Sequence, residues 1–167
     1  MEEEKFYNSG LHFECKRCSF CCGHSPGFVY LSKRDLDFLC DFFKMTKQEF
    51  AKTYCRWADY YEGKTVLALR EKKNFDCILW NNGCTAYSAR PVQCSTWPFW
   101  TWMTDTKEMW EECAKECPGM NCGRLWKKEE IEENRTAYSQ NTPLTKEEFE
   151  QLIEQSNKQS NKQSATD

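Results

Sequence analysis

The sequence predicts an α+β fold: a small cysteine-rich domain with paired helices, a short antiparallel hairpin and irregular loops, plus C-terminal helices. Three observations predict it. Ser32 and Thr46 each open a helical apolar pattern and each have an acidic residue three positions on, Asp35 and Glu49, the signature of a capping box. Two runs rich in strand formers, residues 64–69 and 75–80, flank a polar connection. Twelve cysteines among 167 residues, far above ordinary usage, gather around turn residues.

Taken in chain order, residues 1–14 lead into a dense thiol run, with Phe6, Tyr7, Leu11 and Phe13 able to pack a short extended segment on the body. After the run, Gly23-His24-Ser25-Pro26-Gly27 is a turn cluster. Phe28 to Leu31 reads as a brief strand. The spacing of Leu36, Leu39, Cys40 and Phe43 predicts a helix over 32–44; Phe50 and Tyr54 predict a second over 46–57, with a very short connection between them. Cys40 and Cys55 fall on these helices beside apolar residues, where a reduced buried cysteine acts as packing. The strand-like runs then form the hairpin, and Asn81-Asn82-Gly83 makes a turn because Asn and Gly tolerate positive φ. Residues 85–103 are rich in proline and aromatics and predict an irregular packed segment. Residues 127–140 and those after Thr145 predict two further helices, broken at Pro143. The domain division is thus 1–126 for the cysteine-cluster domain, 127–155 for peripheral helices, and 156–167, with its repeated Ser-Asn-Lys-Gln, for a disordered polar tail.

Bulk properties bound the function. A chain of this length can bury a real core, so disulfides are not needed merely to hold it folded. The opening Met1-Glu2-Glu3-Glu4-Lys5-Phe6 is acidic where a secretory signal is basic and then apolar, and no apolar run approaches a bilayer span. The expectation is a cytoplasmic protein with no membrane partner, its thiols kept reduced. The net charge of −3 shows no basic face for nucleic acid. Trp97, Trp100 and Trp102 stand among residues 95–106, which hold no Arg or Lys, so they predict core packing or a dry wall rather than a base-stacking platform.

Cys15, Cys18, Cys21 and Cys22 form a C-x-x-C-x-x-C-C run. Disulfides, a metal or a redox relay can account for it. Two-residue spacing lets a tight turn aim neighbouring thiols at one ion. The adjacent Cys21 and Cys22 diverge, so they suit two metals or a cluster better than one small tetrahedral ion. Cys77, Cys84 and Cys94 bracket a turn and a proline-containing loop, a setting that fixes isolated thiols. A metal site is the preferred reading.

The run, the stretch CILWNNGCTAYSARPVQCSTWPF from Cys77 to Phe99, and Cys117-Pro118-Gly119 together resemble the CxxCxxCC (YkgJ-like) cysteine-cluster family of zinc- or iron-chelating domains over residues 13 to about 124. Gly83, Tyr87, Arg90, Pro91 and Pro98 also fall on that pattern. The resemblance implies metal ligation by Cys15, Cys18, Cys21, Cys22, Cys77, Cys84, Cys94 and Cys117, enough for two four-sulfur sites or one iron–sulfur cluster with spare ligands. The chain departs from it at Ser19, where many relatives have Gly, and at Thr96-Trp97. Thiolates suit zinc and iron–sulfur clusters alike, so the cofactor is zinc, iron or an iron–sulfur cluster. The reading leans to iron, with zinc expected in aerobically purified material.

Around the thiols, His24 is read as a turn histidine and His12 as a bystander. Arg90 either donates to sulfur or pairs with Asp76 or Glu71; Tyr87 is read as a core residue. Cys113 and Cys122 stand as peripheral ligands or a local redox pair. No catalytic residue is assigned. Besides a metal-binding protein, two other classes remain open: an enzyme or accessory subunit related to flagellin lysine N-methylases, and a zinc-stapled module for an unknown protein partner. The chain has no room for a second full domain and no Gly-rich nucleotide loop, which weighs against independent methylation.

Overall fold

A computed structural model describes residues 4–23 and 26–163. The protein is a small α+β structure in which six helices surround two two-stranded antiparallel sheets. The helices are α1 Lys33–Phe43, α2 Lys47–Tyr54, α3 Val92–Ser95, α4 Lys107–Ala114, α5 Lys128–Gln140 and α6 Lys146–Gln163. The strands are β1 Leu11–Phe13, β2 Cys55–Asp59, β3 Thr65–Leu69 and β4 Met120–Trp126.

Both capping boxes form. Ser32 Oγ accepts the Asp35 N–H at 3.1 Å while Asp35 Oδ2 accepts the Ser32 N–H at 3.0 Å, and Thr46 and Glu49 repeat the arrangement on α2. Leu36, Leu39 and Cys40 are the buried stripe of α1, and Phe50 is the fully buried anchor of α2. Lys44, at φ 55°, ends α1 in the left-handed region and leaves almost no connection before Thr46.

The hairpin forms one step earlier in the chain than the pattern predicts. β3 pairs with β2, from Cys55 opposite Leu69 to Asp59 opposite Thr65, and not with residues 75–80. Cys55 is therefore the first residue of a strand, and α2 stops at Tyr54. The physical reason lies in β3, where Val66, Leu67, Ala68 and Leu69 are all buried. A strand covered on both faces also needs both edges satisfied. β2 supplies one edge. On the other, Leu69 donates to Val29 O at 2.9 Å, Leu67 accepts from Leu31 N at 2.9 Å, and Leu67 donates to Leu144 O at 2.9 Å. Residues 75–80 are left with isolated bridges, Glu71 to Cys77 and Trp80 to Cys84.

Leu144 also donates to Leu31 O at 2.8 Å, so the link between α5 and α6 is hydrogen-bonded into the body. α6 continues through residues 156–163, part of the segment whose composition predicts disorder. The repeat contains neither Gly nor Pro, so nothing local stops the helix. Residues 164–167 lie outside the described residues.

Two apolar cores result. The first joins α1, α2, the β2–β3 sheet and Leu144; its fully buried members include Leu31, Leu39 and Phe50. The second joins the β1–β4 sheet, α4 and α5 around Tyr7, Phe99, Met103, Trp110 and Ile131. Neither α4 nor β4 is legible in the cysteine pattern of residues 107–126. In this second sheet Leu11 faces Trp126 and His12 faces Leu125, while a bulge brings Phe13 opposite Met120.

Candidate metal centre

The thiol run leaves β1 at the second core and arrives at the first. At its start, the Glu14 N–H donates to Gly119 O at 3.0 Å, which lays Cys15 alongside the Cys117-Pro118-Gly119 turn. A Cβ on Gly119 would stand 2.5 Å from Glu14 O, so the approach requires a glycine. At its end, the Cys77 N–H donates to Cys22 O at 2.6 Å. Between these ties, Arg17 and Ser19 both adopt left-handed backbone, at φ 53° and 65°, and Phe20–Cys22 closes one 3₁₀ turn. Ser19 thus occupies a conformation that favours glycine.

The other thiols stand on short, well-tied loops. Cys77 and Cys84 lie on either side of the Asn81-Asn82-Gly83 turn, with Asn82 at φ 51° and Gly83 at φ 143°. Cys94 rides on α3, whose first N–H, that of Val92, is held by Asp35 Oδ1 at 2.9 Å.

All eight predicted ligands, Cys15, Cys18, Cys21, Cys22, Cys77, Cys84, Cys94 and Cys117, line one cavity of about 770 Å³ between the two cores. Cys40, Cys55, Cys113 and Cys122 do not. Cys15, Cys18 and Cys21 are exposed, Cys22, Cys77, Cys84 and Cys94 half-buried, and Cys117 buried. All twelve thiols are free. Cys21 Sγ and Cys22 Sγ are 3.9 Å apart. Among the described residues, no three His, Cys, Asp or Glu side chains stand together closely enough to hold one ion as placed. The thiols share a space and do not yet meet at a point.

The electrostatics divide the set. Cys21 is held down to about 7, chiefly by the hydrogen bond from Cys22, with its own backbone N–H and the charge of Arg90 assisting against burial. Cys22 is pushed up as the partner that keeps its proton, and burial adds to the effect. Burial raises Cys77, Cys84 and Cys94. Opposing that, the backbone of Leu79 favours the charged form of Cys77 and that of Ala86 the charged form of Cys84. The donor set, all thiol, fits a thiophilic metal.

Arg90 lines the cavity, its Cζ 3.8 Å from the centre of the Tyr87 ring, and its Nε is buried with no hydrogen-bond partner among the described residues. The acidic partners predicted for it are engaged elsewhere: Glu71 pairs with Arg56 at 3.3 Å, and Asp76 accepts from Asn74 at 2.7 Å. Tyr87 is not a core residue but 38% exposed, with Arg17 Cζ also 4.7 Å from its ring centre. His12 Nδ1 bonds Gly123 O at 2.9 Å, away from the cavity. His24 lies outside the described residues. α4 ends at Ala114, one further turn closes with the Cys117 N–H on Cys113 O at 3.2 Å, and Cys117 lines the cavity while Cys113 does not. Cys122 Sγ donates to Pro118 O at 3.2 Å. Trp97 and Trp100 wall the cavity, while Trp102 is exposed. The Asp35–Val92 and Glu14–Gly119 ties escape sequence reasoning, because no local pattern links residues so far apart.

A family model described as "CxxCxxCC: Putative zinc- or iron-chelating domain" matches residues 14–118, more than half of the chain. No solved structure matches it.

Proposed function

The chain belongs to the CxxCxxCC family, and on that premise we propose that it binds zinc or iron through thiolates of Cys15, Cys18, Cys21, Cys22, Cys77, Cys84, Cys94 and Cys117. One observation carries the reading: these eight thiols share a cavity that the other four do not reach. Neutral thiols packed this densely have little to gain from one another, whereas thiolates around a cation satisfy both charge and softness.

Each part of the chain has a task in such a centre. The Leu79 and Ala86 backbones oppose the burial that raises Cys77 and Cys84, and so favour the thiolates a metal requires. Trp97 and Trp100 keep water from one wall. The run, tied at Glu14 and Cys22 but regular over only one turn between them, is the part that closes inward. Bound zinc would supply a fixed link between the two cores; bound iron, with or without sulfide, would add reversible one-electron chemistry. The lean is to iron or an iron–sulfur cluster in the native protein. Such a site requires reducing surroundings, so a cytoplasmic location is part of the proposal. Among the described residues, no helix is long and apolar enough to cross a membrane.

Anaerobic purification followed by an absorption spectrum and elemental analysis tests this. A brown protein with a broad band near ~400 nm, iron and acid-labile sulfide selects the cluster. A colourless protein with bound zinc selects a closed, stapling site. Metal-free protein that takes up neither ion anaerobically overturns the proposal.

A further inference from the structure

The buried Nε of Arg90 needs an acceptor that the described residues do not supply. An unsatisfied buried N–H is costly, more so on a charged group, so a native fold keeps one where something else completes it. Here it belongs to a residue that lines the cavity shared by the eight thiols. Its stack on Tyr87 fixes the plane of the group. Arg17, from the run itself, lies against the same ring.

A divalent ion held by four thiolates carries a net double negative charge, and a half-buried anion of that kind is costly unless cations and N–H donors face it. We propose that Arg90 is the positioning residue that compensates this charge, its Nε–H donating to a metal-bound thiolate in the cavity it lines. Arg17 supplies a second, more exposed positive charge across Tyr87. The inference rests on the metal-binding reading above and deepens it. Arg90 thereby couples two ligand-bearing segments, because the Tyr87 ring gathers a guanidinium from the Cys15–Cys22 run and one from the loop between Cys84 and Cys94.

The test uses the full chain, made metal-free anaerobically, with Zn²⁺ and Co²⁺ as probes. Zn²⁺ affinity is read by competition with a chromophoric chelator, and the Co²⁺–thiolate charge-transfer band reports the electronic surroundings of sulfur. Arg90→Gln is expected to weaken Zn²⁺ binding about 10–100-fold and to shift the Co²⁺ band, with the unfolding of the metal-free protein little changed. Arg17→Gln, facing solvent that screens its charge, is expected to lose less than about 5-fold. Wild-type affinity and an unshifted band in Arg90→Gln overturn the inference while leaving the ligands standing. Should Arg90→Gln fail to fold, Arg90→Lys carries the test. It keeps the charge but loses the Nε donor, so an intermediate loss supports the assignment and unchanged values overturn it. Cys84→Ser runs alongside: equal Zn²⁺ binding by this variant and the wild type contradicts the metal-binding reading itself, as does a wild type that binds no Zn²⁺.

Discussion

The backbone N–H of Cys77 donates to the carbonyl oxygen of Cys22 across 2.6 Å, joining the end of the thiol run to the start of the loop that carries Cys77 and Cys84. This bond is independent of any metal. It sets two segments more than fifty positions apart in register, so the sulfurs near the junction have only side-chain rotations and the run's own slack left to resolve.

Replacing a thiol on the cavity and one off it separates the two kinds of cysteine. Cys21→Ser or Cys84→Ser is expected to lose metal and compactness, measured by elemental analysis and gel filtration. Cys40→Ser, buried in the first core, is expected to keep full metal content and to lose about 1–3 kcal/mol of stability in urea, the cost of burying a hydroxyl. Equal metal content in all three variants contradicts the ligand assignment.

Asp35 holds more than its own helix. Its carboxylate accepts from Ser32 N and Oγ, from Val92 N at the start of α3, and from Asn141 Nδ2 at 3.0 Å. Asp35→Ala removes the reciprocal half of a capping box and strands donors on three segments, a loss of roughly 3 kcal/mol or more in urea unfolding. Because α3 carries Cys94, the same variant should bind Zn²⁺ more weakly, with Asp35→Asn intermediate. A stability within about 0.5 kcal/mol of wild type, the range of ordinary surface changes, rejects this role.

Gly119→Ala tests the docking of the run on the second core. The added Cβ meets a backbone oxygen of Glu14 at 2.5 Å, not the yielding tip of a side chain, so the segment ahead of Cys15 must move. The expected cost is about 1–3 kcal/mol, accompanied by faster amide exchange at Glu14. Unchanged exchange at Glu14 would rule out the contact.

The buried thiol of Cys55 makes stability fall in alkali. Burial pushes it up to about 12, above the usual thiol value of 9.0, so between those limits the unfolded chain has given up a proton that the folded chain still holds. Its contribution is fully present below pH 9 and is lost as pH rises toward 12. Each pH unit in that window costs about 1.4 kcal/mol from this one group. Urea unfolding of metal-free protein from pH 8.5 to about 10.5 should therefore fall less steeply in Cys55→Ala than in wild type; parallel slopes would refute the cause.

Much of the first core is legible locally. Ser32–Asp35 and Thr46–Glu49 are boxes closed within one helical turn, and Leu36, Leu39 and Cys40 face inward as their spacing requires. What escapes is decided at long range. Whether residues 55–59 or 75–80 pair with β3 depends on which edge Val29, Leu31 and Leu144 already occupy, and period alone does not carry that information. At the thiol site, the eight cysteines named through the family resemblance line one cavity, while among the described residues no three ligand side chains stand close enough to hold one ion. Tyr87 is the instructive miss: an aromatic in a cysteine loop reads as core, yet its ring is a platform for two guanidiniums.

The division of the interior into two apolar clusters, each closed by its own helices and strands, bears on what happens when the sulfurs are empty. A classical zinc finger collapses without its ion because it owns no other interior. This polypeptide owns two, so stripping it with a chelator is expected to loosen one from the other, at a cost in compactness, while each stays folded and the site between them can be refilled.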